Sequence, residues 1–226
     1  MTTATGVTRA DICVVAVAEC FRGDGEIFGS PMGTIPTIGA RLARAAFEPD
    51  LVLSNGESLL FEGTHQLGVK PDEFAAVGWI PFRSVLDVLA SGRRHVIMGP
   101  VQIDAHGNAN ISAIGDWAKP KRQVLGSRGA PGNTVNHTTS YWIPRHSPRV
   151  FTATVDMVSG IGYDRAAAVG AHFHEIRRVV SNLGVFDFVS VDGAPATMRL
   201  ASVHPGVTVD EIAANTGFPL VIPDDV

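Results

Sequence analysis

Four stretches of this 226-residue chain carry side chains whose types and spacing suit chemistry. The first is Ser54-Asn55-Gly56-Glu57, which follows the apolar run Leu51-Val52-Leu53 and so places a hydroxyl, an amide and a carboxylate where a buried strand ends. Ligands of open α/β sheets bind at the carboxyl ends of strands, which makes these residues a candidate pocket wall; Asn-Gly is also a common chain-reversal signal, and that reading stands beside the first. The second stretch is Gly126-Ser127-Arg128-Gly129-Ala130-Pro131-Gly132-Asn133. Its glycines permit a loop with several N–H groups turned inward, the usual means of holding an oxyanion or an acyl carbonyl. Ser127 stands in Gly-Ser-x-Gly rather than the Gly-x-Ser-x-Gly elbow of a hydrolase, so the spacing disfavours a serine nucleophile. The third, Gly99 to Asn110, concentrates Gln102, Asp104, Asn108 and Asn110 after an apolar strand, and such side chains either satisfy buried backbone or bind substrate. The fourth is the loop Gly29 to Gly33 before a helix, in which Gly33 and Thr34 are candidate contacts for a carboxylate or phosphate.

Other patterns are weaker. Lys119, Lys121, Arg122 and Arg128 read as a solvated face that could also meet the phosphates of a nucleotide-like group. Gly160-Ile161-Gly162 begins a dinucleotide-like motif, but Arg165 stands where its third glycine belongs. His172 and His174 would share one face of a strand as metal ligands do, yet no third ligand lies nearby, which favours a surface pair.

The elements that must position these residues are read from pattern. Thr8 and Asp11 cap a first helix running to Gly23, and Glu26 to Phe28 form a strand. Ile35, Ile38 and Leu42 mark a second helix; Pro81 opens another with the stripe Phe82, Val85, Leu86 and Leu89, ended by Gly92. Strands are expected over His95 to Met98, Phe151 to Val155 and Glu175 to Val180, with a hairpin over Ser181 to Phe188. Thr208 to Glu211 is a capping box for a last helix that stops at Gly217.

Composition bounds the rest. A chain with 45% hydrophobic residues can bury one large core, so a single domain over 1–226 is expected. The net charge of −4 argues against a nucleic-acid partner. No segment reads as a signal peptide or membrane span, and Cys13 and Cys20, at helical spacing about 10 Å apart, are expected to be free thiols in the cytoplasm.

Taken in order, five blocks carry a resemblance along almost the whole chain: Glu48-Pro49-Asp50; Gln102-Ile103-Asp104 with Gly107 to Asn110; Gly126 to Gly132; Val179 to Asp187; and His204 to Thr208 with Thr216-Gly217-Phe218. They resemble the B subunits of family I coenzyme A transferases. The resemblance implies a three-layer α/β/α domain with a mostly parallel open sheet. It also implies an A subunit as partner, in an α2β2 heterotetramer with the active site between A and B, and a CoA thioester as substrate with no separate cofactor. Transferases of this family carry a nucleophilic glutamate in the B subunit at the end of the strand corresponding to Leu51 to Ser54. Here Gly56 stands at that place and Glu57 is displaced by one residue, which turns its side chain to the opposite face of an extended chain. That departure, with Ser30-Pro31-Met32 and Asn182 to Asp187, resembles the branch of the family that opens a steroid-derived ring of a CoA thioester by water addition and retro-Claisen cleavage. The resemblance then places the glutamate base on the A subunit, Ser54, Asn55 and Gly56 in the pocket wall, Gly126, Ser127, Arg128 and Gly129 at substrate or oxyanion, and Gln102, Asp104 and Asn108 in support. A dicarboxylic-acid CoA-transferase using Glu57, and a structural subunit that only completes its partner's pocket, are the alternatives.

Overall fold

The computed structural model describes residues 6–54, 59–61 and 76–226, which leaves Asn55, Gly56 and Glu57 outside the described residues. The chain divides into two compact units, residues 1–97 and 98–226.

In the first unit Thr8 caps α1 (Arg9–Glu19) as its sequence dictates: its hydroxyl accepts from the Asp11 N–H while the Asp11 carboxylate accepts from the Thr8 N–H at 2.8 Å. The helix stops at Glu19, earlier than Gly23, and tight turns carry the chain onward. Those turns are tied by Glu48, whose buried carboxylate accepts from the backbone N–H groups of Gly23 and Gly25. β1 (Phe28–Pro31) begins two residues later than the sequence suggests and absorbs Gly29, Ser30 and Pro31, because strands pair with it on both sides and tertiary pairing outweighs local turn chemistry. α2 (Thr34–Ala46) follows, then β2 (Val52–Ser54), β3 (Leu59–Phe61), β4 (Ala76–Trp79), α3 (Ser84–Ala90) and β5 (Arg94–Met98). The sheet order is β5-β1-β2-β3-β4, with β1 parallel to β2 and β5, and β3 antiparallel to β2 and β4.

Two helices bury a face other than the one their periodicity suggests. In α2 the buried residues are Pro36, Gly39, Ala40 and Ala43, with Ile35, Ile38 and Leu42 only half-buried. The reason is close approach to α1, since a Cβ at Gly39 would lie 2.9 Å from Cβ of Val17, and small residues are what such contact selects. α3 begins after Arg83, not at Pro81, and buries Leu89 while Phe82 and Leu86 stay exposed.

The second unit contains the short ladder β6 (Gln102–Ile103) and β7 (Ala109–Asn110), the ribbon β8 (Ala113–Ile114) and β9 (Arg122–Gln123), then α4 (Ala130–Asn136), β10 (Thr138–Ile143) and α5 (Tyr163–Val169). β11 (Glu175–Ser181), β12 (Gly184–Val189), β13 (Thr197–Val203) and α6 (Val209–Ala214) complete it. β10 and β11 are parallel; β11, β12 and β13 form an antiparallel meander, with the expected hairpin turning at Asn182-Leu183. The class is therefore α/β, but the pairing is mixed rather than mostly parallel, and the connections β2–β3, β11–β12 and β12–β13 are too short for the crossover that a parallel pair needs.

Phe151 to Val155 is not a strand. Only Phe151 bridges to Ile103, and its ring instead stacks on His146 with centroids 3.6 Å apart. That stack joins Tyr141, Ile176, Phe186, Met198, Leu200 and Ile212 in the core of this unit.

Candidate active site

Parallel strands β1 and β2 deliver their carboxyl ends side by side, in the register Phe28 to Val52 and Gly29 to Leu53. Ser54 closes β2 half-buried, so the one described residue of the first candidate stretch stands at the strand end that its sequence indicates. One strand away, Gly33 adopts φ 105° and precedes α2 with no side-chain cap, leaving Gly33 and Thr34 exposed at the helix entrance. On the other side of β1, β5 is buried along its whole length, polar residues included. Arg94 donates to the Ser30 hydroxyl at 2.8 Å, and burial draws its guanidinium down to about 10. His95 meets the Asp24 carboxylate at 2.6 Å with both side chains out of solvent, a pair that nothing in the local sequence announces. It joins residues separated by 71 positions and braces the turn before β1.

In the second unit the amide-rich segment is bonded inward. The Gln102 carbonyl oxygen accepts from the Asn110 side chain at 2.7 Å and from the Asp156 N–H at 3.0 Å. Asp104 accepts from the backbone N–H groups of His106 and Asn108, each at 3.0 Å, and burial raises its pKa against the lowering effect of those bonds. Asn108 donates to Asp104 at 3.0 Å and to Asp164 at 2.9 Å, and accepts from the Gly162 N–H at 2.8 Å. Of the two roles that the sequence leaves open for this segment, these bonds display the satisfaction of buried backbone. Gly160 and Gly162 have a packing reason of their own: a Cβ at Gly162 would meet the His106 carbonyl and lie 2.6 Å from the Asn108 nitrogen.

The glycine loop is built differently. Gly126 has φ 82° with open space where a Cβ would point, and Arg128 adopts φ 47°, a left-handed conformation costly for a residue with a Cβ. Gly129 ends the loop as the residue before α4. The Ser127 hydroxyl lies 3.1 Å from that of Ser112, which is 2.7 Å from that of Ser159. Lys119, Lys121, Arg122 and Arg128 are exposed and form no ion pair among the described residues. His174 is half-buried, contacting the Thr134 carbonyl and the edge of Tyr163, so it does not pair with the exposed His172. No group of three or more His, Cys, Asp or Glu suited to a metal occurs among the described residues.

Each unit offers hydrogen bonding and shape of its own: the first a strand end with a hydroxyl and an uncapped helix entrance, the second a strained loop carrying a hydroxyl. The contact of Ser112 with Ser159 has no signal in the sequence, since a lone serine in a mixed stretch does not announce a partner 47 positions away.

No family model matches the chain. It is 56% identical over 219 residues to the cholesterol ring-cleaving hydrolase IpdB subunit of Rhodococcus jostii strain RHA1, covering 96% of this chain and 84% of that protein. Among solved structures, IpdAB of Rhodococcus jostii RHA1 superposes with a TM-score of 0.89 at 55% identity, over 95% of this chain and 85% of that one. Glutaconate coenzyme A-transferase of Acidaminococcus fermentans superposes with a TM-score of 0.80 at 24% identity, over 96% and 87% of the two chains, a likeness of fold.

Proposed function

The chain belongs to the family of cholesterol ring-cleaving hydrolase IpdB subunits, and on that premise we propose that it is the B subunit of a heteromeric hydrolase that opens the last steroid-derived ring of a CoA thioester. The observation that carries this reading is the 56% identity along 96% of the chain. The sequence Ser54-Asn55-Gly56-Glu57, with glycine where a transferase nucleophile is expected, supports it.

In this reaction a base on the A subunit takes a proton from water as the water oxygen adds to a ring ketone. Collapse of the adduct breaks the ring C–C bond; its electron pair moves to the carbon conjugated with the thioester, that carbon takes up a proton, and the former ketone carbon leaves as a carboxylate. Such a sequence calls for a general base and for donors to the developing oxyanion. This chain contributes the second. Ser54, Asn55 and Gly56 line the pocket, Gly33 and Thr34 meet an anionic part of the substrate, and the loop Gly126 to Gly129 faces the oxyanion. Gln102, Asp104 and Asn108 are supporting residues. Coenzyme A enters as part of the substrate, no further cofactor takes part, and two A–B pairs make an α2β2 assembly. A cytoplasmic location accords with free, buried Cys13 and Cys20, and among the described residues no helix is long and apolar enough to cross a membrane.

The test is a coexpressed A–B complex given a ring-keto CoA thioester, with and without an acyl acceptor. Ring opening independent of acceptor is expected. Glu57→Gln is expected to retain a measurable fraction of turnover, and borohydride added with substrate is expected to leave the complex active, since no glutamyl thioester forms. Acceptor-dependent transfer that vanishes with Glu57→Gln replaces this reading with a CoA-transferase; a complex fully active without any of the pocket residues of this chain makes it a structural subunit.

A further inference from the structure

Three serine hydroxyls in the second unit form a chain whose direction of donation is fixed by the backbone. Ser159 Oγ accepts from the Ile111 N–H at 3.0 Å, a group that can only donate. Ser159 is 2% exposed, and among the described residues the one acceptor in reach of its own proton is Ser112 Oγ at 2.7 Å. Ser112, fully buried, therefore accepts from Ser159 and has Ser127 Oγ, 3.1 Å away, to receive its proton. Each buried hydroxyl must place its proton, because an unmet donor out of solvent is costly. The proton of Ser127 is then left over. Ser127 is half-buried, at the surface end of the chain, beside Arg128 in its strained left-handed conformation.

We propose that Ser127 is a catalytic hydrogen-bond donor to the oxyanion that develops on the substrate, with Ser112 and Ser159 as positioning residues that hold its proton outward. The inference rests on the ring-opening reading and gives the loop a side-chain donor in addition to its backbone. A donor already polarised by two others in a low-dielectric surrounding needs no reorientation as charge appears, which is where such groups contribute most. The arrangement also accounts for the strain at Arg128: a conformation of this kind persists where surrounding structure holds it, and the serine chain is what ties the preceding residue down.

The experiment uses the A–B complex and compares Ser127→Ala, Ser127→Thr and Ser112→Ala with the unaltered enzyme on a ring-keto CoA thioester. Ser127→Ala is expected to lower kcat about 100-fold, the usual effect of losing one oxyanion donor, with KM changed less than about threefold. Ser127→Thr, which keeps the hydroxyl, is expected to restore most of that turnover. Ser112→Ala is expected to lower kcat by about tenfold, because Ser127 is then free to turn. The pH profile of kcat keeps its shape in all three, since no titrating group is removed, and the melting temperature of Ser127→Ala stays within a few degrees of the parent. Full turnover by Ser127→Ala overturns the inference, as does an equal loss in Ser127→Ala and Ser127→Thr accompanied by a fall in melting temperature, which assigns the hydroxyl to folding. An unaltered complex with no ring-opening activity rejects the proposed function instead.

Discussion

His146 shows how much one buried side chain can set. Its ring stacks on Phe151, its Nδ1 meets the Ser181 hydroxyl at 3.0 Å and its Nε2 the Thr216 hydroxyl at 3.0 Å, so it links the β11–β12 turn to the end of α6. Burial pushes its pKa down to about 4, so the folded protein holds the ring neutral where the unfolded chain, near 6.5, accepts a proton. The unfolded state then binds more protons between those values. Stability is full above pH 6.5, falls as pH drops towards 4, and levels off below, a loss of roughly 3 kcal/mol from this one group. His174, lowered in the same direction by burial, adds to the slope. Replacing His146 with Gln is expected to cost stability at pH 8 and to flatten the fall between pH 6.5 and 4, which denaturant titrations at a series of pH values measure. Glycines divide by the same kind of reasoning. Gly162→Ala drives a methyl into backbone and is expected to cost about 3 kcal/mol, whereas Gly126→Ala meets open space and pays about 1 kcal/mol for its left-handed φ. Melting temperatures of the two variants should rank in that order.

At the scale of elements, the β6–β7 turn and the start of α5 are held by one amide. Asn108 donates to Asp104 and Asp164 and accepts from Gly162, so Asn108→Ala leaves a raised, buried carboxylate with fewer donors and a backbone N–H without an acceptor. The expected cost is about 2 to 4 kcal/mol, checked by urea unfolding, with hydrogen exchange rising first at Gly162 and Tyr163. The capping of α1 is a smaller effect of the same type: Thr8→Ala removes a reciprocal pair and is expected to cost about 1 kcal/mol. The cap was legible because both partners lie within one turn. The buried face of α2 was not, since Ile35, Ile38 and Leu42 keep a helical period while the small residues between them meet α1.

At the scale of the molecule, the first unit leaves Val77, Trp79, Phe82 and Leu86 exposed on and beside β4 and α3, Phe82 at 86%. Apolar surface of this extent favours association. Expressed without its A subunit the chain is expected to self-associate, and Phe82→Ser to lessen that; size-exclusion chromatography with and without the A subunit checks both. A monodisperse monomer with ring-opening activity of its own would contradict the shared-site reading.

Several of the blocks that carry the family resemblance turn out to be joints. Glu48 ties the turns before β1, His204 Nε2 meets the Ser181 carbonyl at 3.0 Å, and the Gly217 N–H donates to the Phe151 carbonyl at 2.7 Å where a Cβ would not fit. What the amino-acid sequence determined by itself was the local and the compositional: the Thr8–Asp11 cap, the β2 strand ending at Ser54, the hairpin after Ser181 and the free thiols. Each depends on neighbours a few residues away, within reach of a helical turn or a strand's alternation. Only tertiary structure decided that Gly29 to Pro31 extend a strand, that Asp24 meets His95, and that the hydroxyls of Ser112, Ser127 and Ser159 come within hydrogen-bond reach in a chain. Those contacts join residues far apart in the chain, and a hydroxyl or a carboxylate acquires its partner only when packing has removed it from water.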